Sequence, residues 1–125
     1  MTTKSFKDLI VWQKSYRLTR EIYVFSGQFP KNELYGLVQQ VRRAAVSIPS
    51  NIAEGYGRRH KAEYDQFLSI AYGSLCELET QYMLAVDLGY CGKEPRIESL
   101  MIEVGSMLYR MVNPKRHTLS ATRPC

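Results

Sequence analysis

Apolar residues recur along this chain at helical rather than strand spacing, in four successive segments. Over residues 8–25, Leu9, Trp12, Tyr16 and Tyr23 line one edge of a broad apolar face. Val11, Leu18, Ile22 and Phe25 line its other edge, and Gln13, Lys14, Arg17, Arg20 and Glu21 gather on the opposite side. Gly27 and Pro30 then break the helix. The second segment starts near Asn32, a residue type suited to an N-cap. It carries Leu34, Leu37, Val38, Val41, Ala45, Ile48 and Ile52 on one face. The third, over 61–88, turns Tyr64, Phe67, Leu68, Ala71, Leu75, Leu78, Tyr82 and Ala85 inward and ends at "GYCGKE". Pro95, well placed in a first turn, opens a fourth helix. Its inward positions are Ile97, Leu100, Met101, Val104, Leu108 and Met111, and Pro114 stops it. Four amphipathic helices on short Gly/Pro connections predict an all-α fold, an antiparallel up-down four-helix bundle over residues 1–113. Residues 114–125 read as a basic, disordered tail.

The stretch "RRAAVSIPSNIAEGYGRR" interrupts this simple pattern with Pro49. A proline inside a helix removes the bond to residue i−4 and costs about 3 kcal/mol. Yet Val41, Ala45, Ile48 and Ile52 keep one register through it, which a loop would reset. The segment therefore predicts one long helix, kinked at Pro49 and ending near Gly55. Its outer stripe, Gly36, Gln40, Arg43, Ser47, Ser50, Asn51 and Glu54, is mostly small or uncharged, where a solvated face favours Lys and Glu. Gln66, Ser69, Gly73 and Glu77 repeat the theme on the third helix. One reading is a set of tolerated polar positions on a wet surface. The sharper one is an oligomer interface of Gly36, Gln40, Arg43, Ser47, Asn51, Glu54, Gly73 and Glu77, with Arg43 paired to Glu54 or Glu77 across chains, since buried charge must be paired.

Charge adds a partner class. The 125 residues carry a formal net charge of +5, unevenly spread. Residues 1–61 hold eleven Lys/Arg against four Asp/Glu, and residues 62–125 hold six against eight. A basic half points to an anionic partner, nucleic acid first and an acidic membrane surface second. Lys14, Arg17 and Arg20, with Arg42, Arg58 and Arg59, are the candidate phosphate contacts. The pairs Arg42/Arg43 and Arg58/Arg59 would sit ~24 Å apart on a straight helix, so the spacing alone does not join them. Tyr56, Tyr64 and Tyr72 could stack on bases, or serve as core and rim residues.

Other chemistry drops out. No apolar run reaches the ~20 residues of a membrane span, and charges at Lys4, Lys7 and Asp8 interrupt any signal-peptide core. Three cysteines without close spacing fit a reducing, cytoplasmic setting. His60 and Glu63 lie one turn apart, but two inward Glu-x-x-His motifs are lacking, so no metal and no cofactor is expected. Ser47 and Ser50 have no histidine nearby, so no catalytic residue and no enzyme is expected.

"GLVQQVRRAAVSIPSNIAEG", followed by "FLSIAYGSLCELET", resembles the bacterial four-helix-bundle proteins encoded in 23S ribosomal RNA intervening sequences. That family is similar to the accessory variability proteins of diversity-generating retroelements. "FKDLIVWQKSYRL" and "FPKNELYGL" also fit, and the resemblance spans about residues 6–112. Gln40, Arg43, Ser47, Ile48, Pro49, Asn51, Ala53, Glu54, Gly55, Gly73, Ser74, Glu77 and Leu78 match its pattern. The resemblance implies a barrel-like homopentamer with a basic surface that binds nucleic acid, RNA more than duplex DNA. For the retroelement branch it implies a reverse transcriptase partner. It supplies no catalytic residues. The competing class is a protein-interaction scaffold that docks an acidic partner.

Overall fold

The apolar repeat of the first segment winds into α1 (Ile10–Ser26), and the later ones give α2 (Leu37–Tyr56), α3 (Lys61–Asp87) and α4 (Pro95–Val112). The computed structural model describes residues 5–113, and the tail expected at 114–125 lies outside the described residues. Single 3-10 turns at Phe6–Asp8 and Lys31–Glu33 precede α1 and α2, and no strand occurs among the described residues. α1 packs on α2 and α4, and α3 likewise packs on α2 and α4. The shared core includes Leu18, Ile48, Ile52, Leu75, Leu78, Ile97 and Leu108, all fully buried. Contacts step in opposite directions along neighbouring helices. Lys14 meets Glu103 and Glu21 meets Arg96 across α1 and α4. Tyr72 meets Tyr109 and Tyr82 meets Glu98 across α3 and α4.

The broad apolar face of α1 is narrower than its sequence predicts. Val11, Leu18, Ile22 and Phe25 are buried, while Tyr16 and Tyr23 stay exposed. Tyr16 stacks on Trp12 with ring centroids 5.0 Å apart, and the Arg42 guanidinium lies 4.6 Å over the Tyr23 ring. Amphipathic rings of this kind cover apolar surface while leaving a hydroxyl in water.

α2 begins later than Asn32. Asn32 falls in the 3-10 turn, and the cap comes from Glu33, whose Oε1 accepts from the Leu37 N–H at 3.0 Å. Gly36 makes this possible, because a Cβ there would sit 2.7 Å from that oxygen. Leu34, expected on the core face, precedes the helix and is 49% exposed. The other carboxylate oxygen accepts from the Tyr90 hydroxyl at 2.8 Å. These two donors, the Leu37 N–H first, hold the Glu33 carboxyl below its ordinary value. The linkage sign follows from that direction. The contribution is full above the unfolded-chain value of 4.5 and is lost as pH falls through the lower folded value. Glu33→Gln is therefore expected to flatten that part of the acid-unfolding curve, measured by circular dichroism across pH.

α2 runs unbroken through Pro49, which is buried. Having no N–H, Pro49 cannot bond the Ala45 carbonyl. The structure supplies a substitute from the neighbouring helix: the Thr19 hydroxyl on α1 lies 3.0 Å from Ala45 O and 2.9 Å from Ser15 O, within donating distance of both. Gly55, near which the sequence places the end of α2, lies one residue before its last residue, Tyr56. Gly55 is buried, and a Cβ there would lie 2.7 Å from Phe67 Cβ. α3 uses the missing side chain to approach closely.

The two inter-helix links at one end of the bundle are tied together. Tyr82 accepts from the Glu94 N–H at 2.7 Å and donates to Glu98 at 2.8 Å. Burial first, and then the Glu98 carboxylate, push this phenol up to about 12 against the opposing pull of the Glu94 N–H. Phe25 packs on Tyr82, Phe29 packs on Tyr90, and the Cys91 thiol donates to the Phe25 carbonyl at 3.4 Å.

Candidate assembly and nucleic-acid surfaces

The small, polar stripe of α2 faces a groove rather than flat solvent. Gly36 just before α2, Gln40, Arg43 and Ser47 from α2, and Ser74 and Glu77 from α3 line a concavity of about 450 Å³, and Tyr35 lines it too. Tyr35, which the sequence did not single out, is 83% exposed. Hydroxyls fix the groove wall. Ser47 Oγ and Ser74 Oγ lie 2.8 Å apart, bridging α2 and α3. Asn51 Nδ2 donates to Ser47 O at 2.7 Å and to Ser47 Oγ at 2.9 Å. Helix hydroxyls usually bond back to their own backbone. Here they join two helices.

Arg43 is exposed and forms no ion pair among the described residues. Neither Glu54 nor Glu77 pairs with it within the chain. Glu54 is held by Arg58 at 3.1 Å. Glu77 accepts from Gln81 Nε2 at 3.3 Å, and the buried Gln81 Oε1 of the same side-chain amide has no partner among the described residues. Gly73 is exposed, and a Cβ there would meet nothing within 4 Å. The subunit itself does not need glycine at that position. Of the eight candidate interface residues, five line the groove, while Asn51, Glu54 and Gly73 lie outside its lining.

The six candidate phosphate contacts separate into working and spare charges. Lys14 pairs with Glu103 across α1 and α4 at 2.7 Å. Arg42 donates to Ser26 Oγ at 2.8 Å and to the Tyr23 carbonyl at 3.1 Å. It thereby adds a side-chain donor to a Tyr23 carbonyl that the Gly27 N–H already reaches, and ties α2 to the C-terminal turn of α1. Arg58 is paired to Glu54 and lies 4.8 Å over the Phe67 ring. Arg59, exposed beyond the end of α2, has no ion pair among the described residues. Arg17 and Arg20 come together with Arg96, Glu21 and Val24 around a cleft of about 280 Å³ between α1 and α4. Arg96 was invisible to the charge count because it lies in the acidic half of the chain.

The tyrosines proposed as stacking platforms are partly committed. Tyr56 and Tyr64 meet edge-on with centroids 6.4 Å apart, and burial pushes the Tyr64 phenol up, helped by Tyr56 and Asp65. Tyr72 packs against Tyr109. Among the described residues, no group of three or more His, Cys, Asp or Glu is placed to hold a metal ion. No described helix is long and apolar enough to cross a membrane.

The family model for the 23S rRNA-intervening sequence protein matches residues 7–110, which covers all four helices almost completely. No curated protein matches the chain.

Proposed function

Because the chain belongs to the 23S rRNA-intervening sequence protein family, we propose that it is a non-enzymatic, RNA-binding accessory protein that works as a homo-oligomer. In this reading the subunit is an up-and-down antiparallel bundle bent at Pro49. Copies meet through the α2/α3 groove, where the unpaired Arg43 and the Glu77 carboxylate offer complementary charge to a second copy. A pentamer, about five times 14.4 kDa, is the expected assembly, and a reverse transcriptase is the protein partner in a retroelement setting. RNA meets the α1/α4 side.

The observation that carries the reading is the division of surfaces. The groove belongs to α2 and α3 and the arginine cleft to α1 and α4, so the two share no helix. Assembly through one leaves the other open, and the charge of each copy adds to the same polyanion. Phosphate contacts carry no direct sequence information, so binding is expected to be broad in sequence and steep in salt. The test is fluorescence anisotropy of a labelled single-stranded RNA across a salt series, beside light scattering of the protein alone. Log K is expected to fall by ~0.7 per phosphate contact for each log unit of salt. A wild-type protein that ignores RNA even at low salt would replace this reading with the scaffold that docks an acidic protein.

A further inference from the structure

The cleft between α1 and α4 contains more positive charge than its own ion pair uses. Arg17 and Arg20 stand three residues apart on α1, one helical turn, and so project from the same side. Arg96 reaches the cleft from the first turn of α4. Its guanidinium meets Glu21 at 2.9 Å, with the arginine side chain 72% and the glutamate 23% exposed. Glu21 lies four residues after Arg17, close enough for an intrahelical pair, yet its carboxylate is committed to Arg96. Arg17 and Arg20 make no ion pair among the described residues. Three guanidiniums against one carboxylate leave two positive charges inside a cleft of about 280 Å³. That is the volume of about nine liquid waters, room for a phosphate and the sugar beside it. Val24, well exposed at the rim, offers an apolar edge.

We infer that this cleft is the phosphate site for an RNA strand, and that Glu21 acts as its internal counter-ion, holding Arg96 in place until a phosphate shares or takes its guanidinium. The inference rests on the RNA-binding reading and deepens it. The relative strengths of the two partners favour the exchange. With the arginine side chain 72% exposed, the Arg96–Glu21 pair is largely screened and contributes little, whereas a guanidinium fits a phosphate with two parallel hydrogen bonds, and among the described residues no carboxylate pairs with Arg17 or Arg20. Glu21 therefore does two things. It keeps the Arg96 side chain directed across the cleft in the free protein, and it competes with the ligand, so removing its charge strengthens binding. A generic cationic surface would respond to loss of any one carboxylate alike.

The experiment uses the full chain and a fluorescent single-stranded RNA, made with either a 5′-phosphate or a 5′-hydroxyl, in anisotropy titrations across a salt series. Helix content and light scattering check that each variant keeps its fold and assembly. Arg96→Gln is expected to weaken binding about fivefold at 0.1 M salt and to lower the salt slope by ~0.7, the loss of one single-strand phosphate contact. Glu21→Gln is expected to tighten binding, and to do so more than Glu63→Gln, a matched charge change on an exposed residue in the first turn of α3. Loss of affinity on removing the 5′-phosphate assigns the cleft to a strand terminus, and equal affinity assigns it to the backbone. The proposal is overturned if Glu21→Gln does no more than Glu63→Gln, or if Arg96→Gln leaves the slope unchanged. If those results appear while the wild type binds RNA, the RNA-binding reading stands and only this site is lost. A wild type that does not bind RNA ends both.

Discussion

Gly55→Ala is expected to lower the stability of the folded subunit by about 1–3 kcal/mol, the usual cost of overpacking a close contact, and Gly55→Leu to prevent folding. The methyl carbon would arrive 2.7 Å from Phe67 Cβ and 3.0 Å from Tyr64 Cδ1. The first of these atoms is attached directly to the α3 backbone, so relief requires the two helices to separate. Gly73→Leu is expected to do the reverse. Nothing lies within 4 Å of a Cβ at residue 73, and leucine is the better helix former by about 0.8 kcal/mol. The isolated subunit should gain slightly in urea denaturation. If the outer face of α3 meets another copy, the same substitution blocks assembly, seen as a smaller mass by light scattering. A Gly73→Leu protein that assembles as the wild type does would remove that face from the interface, and one that unfolds would make residue 73 a core position.

The second large effect concerns a bond that crosses helices. Thr19→Val should cost about 1–3 kcal/mol, the penalty for leaving a buried acceptor unpaired, because Ala45 is fully buried and its carbonyl lacks the bond Pro49 would have made. Pro49→Ala restores an N–H to that carbonyl and should stabilise the subunit. In the Pro49→Ala background, Thr19→Val should then cost far less. A double-mutant cycle by chemical denaturation reads this directly, and a coupling of about 1 kcal/mol or more is expected. Strict additivity would show that Thr19 does not replace the missing bond. If Pro49 also shapes the oligomer, Pro49→Ala should weaken assembly while strengthening the monomer.

The helices were legible because apolar spacing is a local signal. Val41, Ala45, Ile48 and Ile52 hold one register across Pro49, and all four are buried in a continuous α2. What the spacing could not show is how the broken bond is repaired, since Thr19 is 26 residues away. The same limit explains the start of α2. Asn32 is a good cap by type, but Glu33 is also held by Tyr90, 57 residues further on. The candidate site was legible in its residue types and illegible in its partners. Counting charge treats Lys14, Arg17 and Arg42 alike. In the folded chain Lys14 is neutralised by Glu103, Arg42 is spent on the end of α1, and Arg17 remains available. Arg96 escaped notice for the converse reason, being one cation in a half where acidic residues outnumber basic ones, brought to α1 only by the fold.

The two ends of the bundle differ in how far apart in sequence their hydrogen-bonded partners lie. At the end carrying the α1–α2 and α3–α4 links, Arg42 reaches Ser26, Tyr82 reaches Glu98, Tyr90 reaches Glu33 and Cys91 reaches Phe25, spanning 16 to 66 residues. At the end carrying the α2–α3 link, the ion pairs are local in sequence: Lys61–Asp65 lies within α3, and Arg58, just past α2, pairs back to Glu54 four residues earlier. A bond within one helix survives when that helix swings away from its neighbour, so it gives no resistance to separation. A bond between distant segments must break first. Opening of the subunit is therefore expected to be directional. Native-state hydrogen exchange should show amides next to residues 57–60 exchanging through small local excursions, and those beside Tyr82 exchanging later, with the wider unfolding of the bundle.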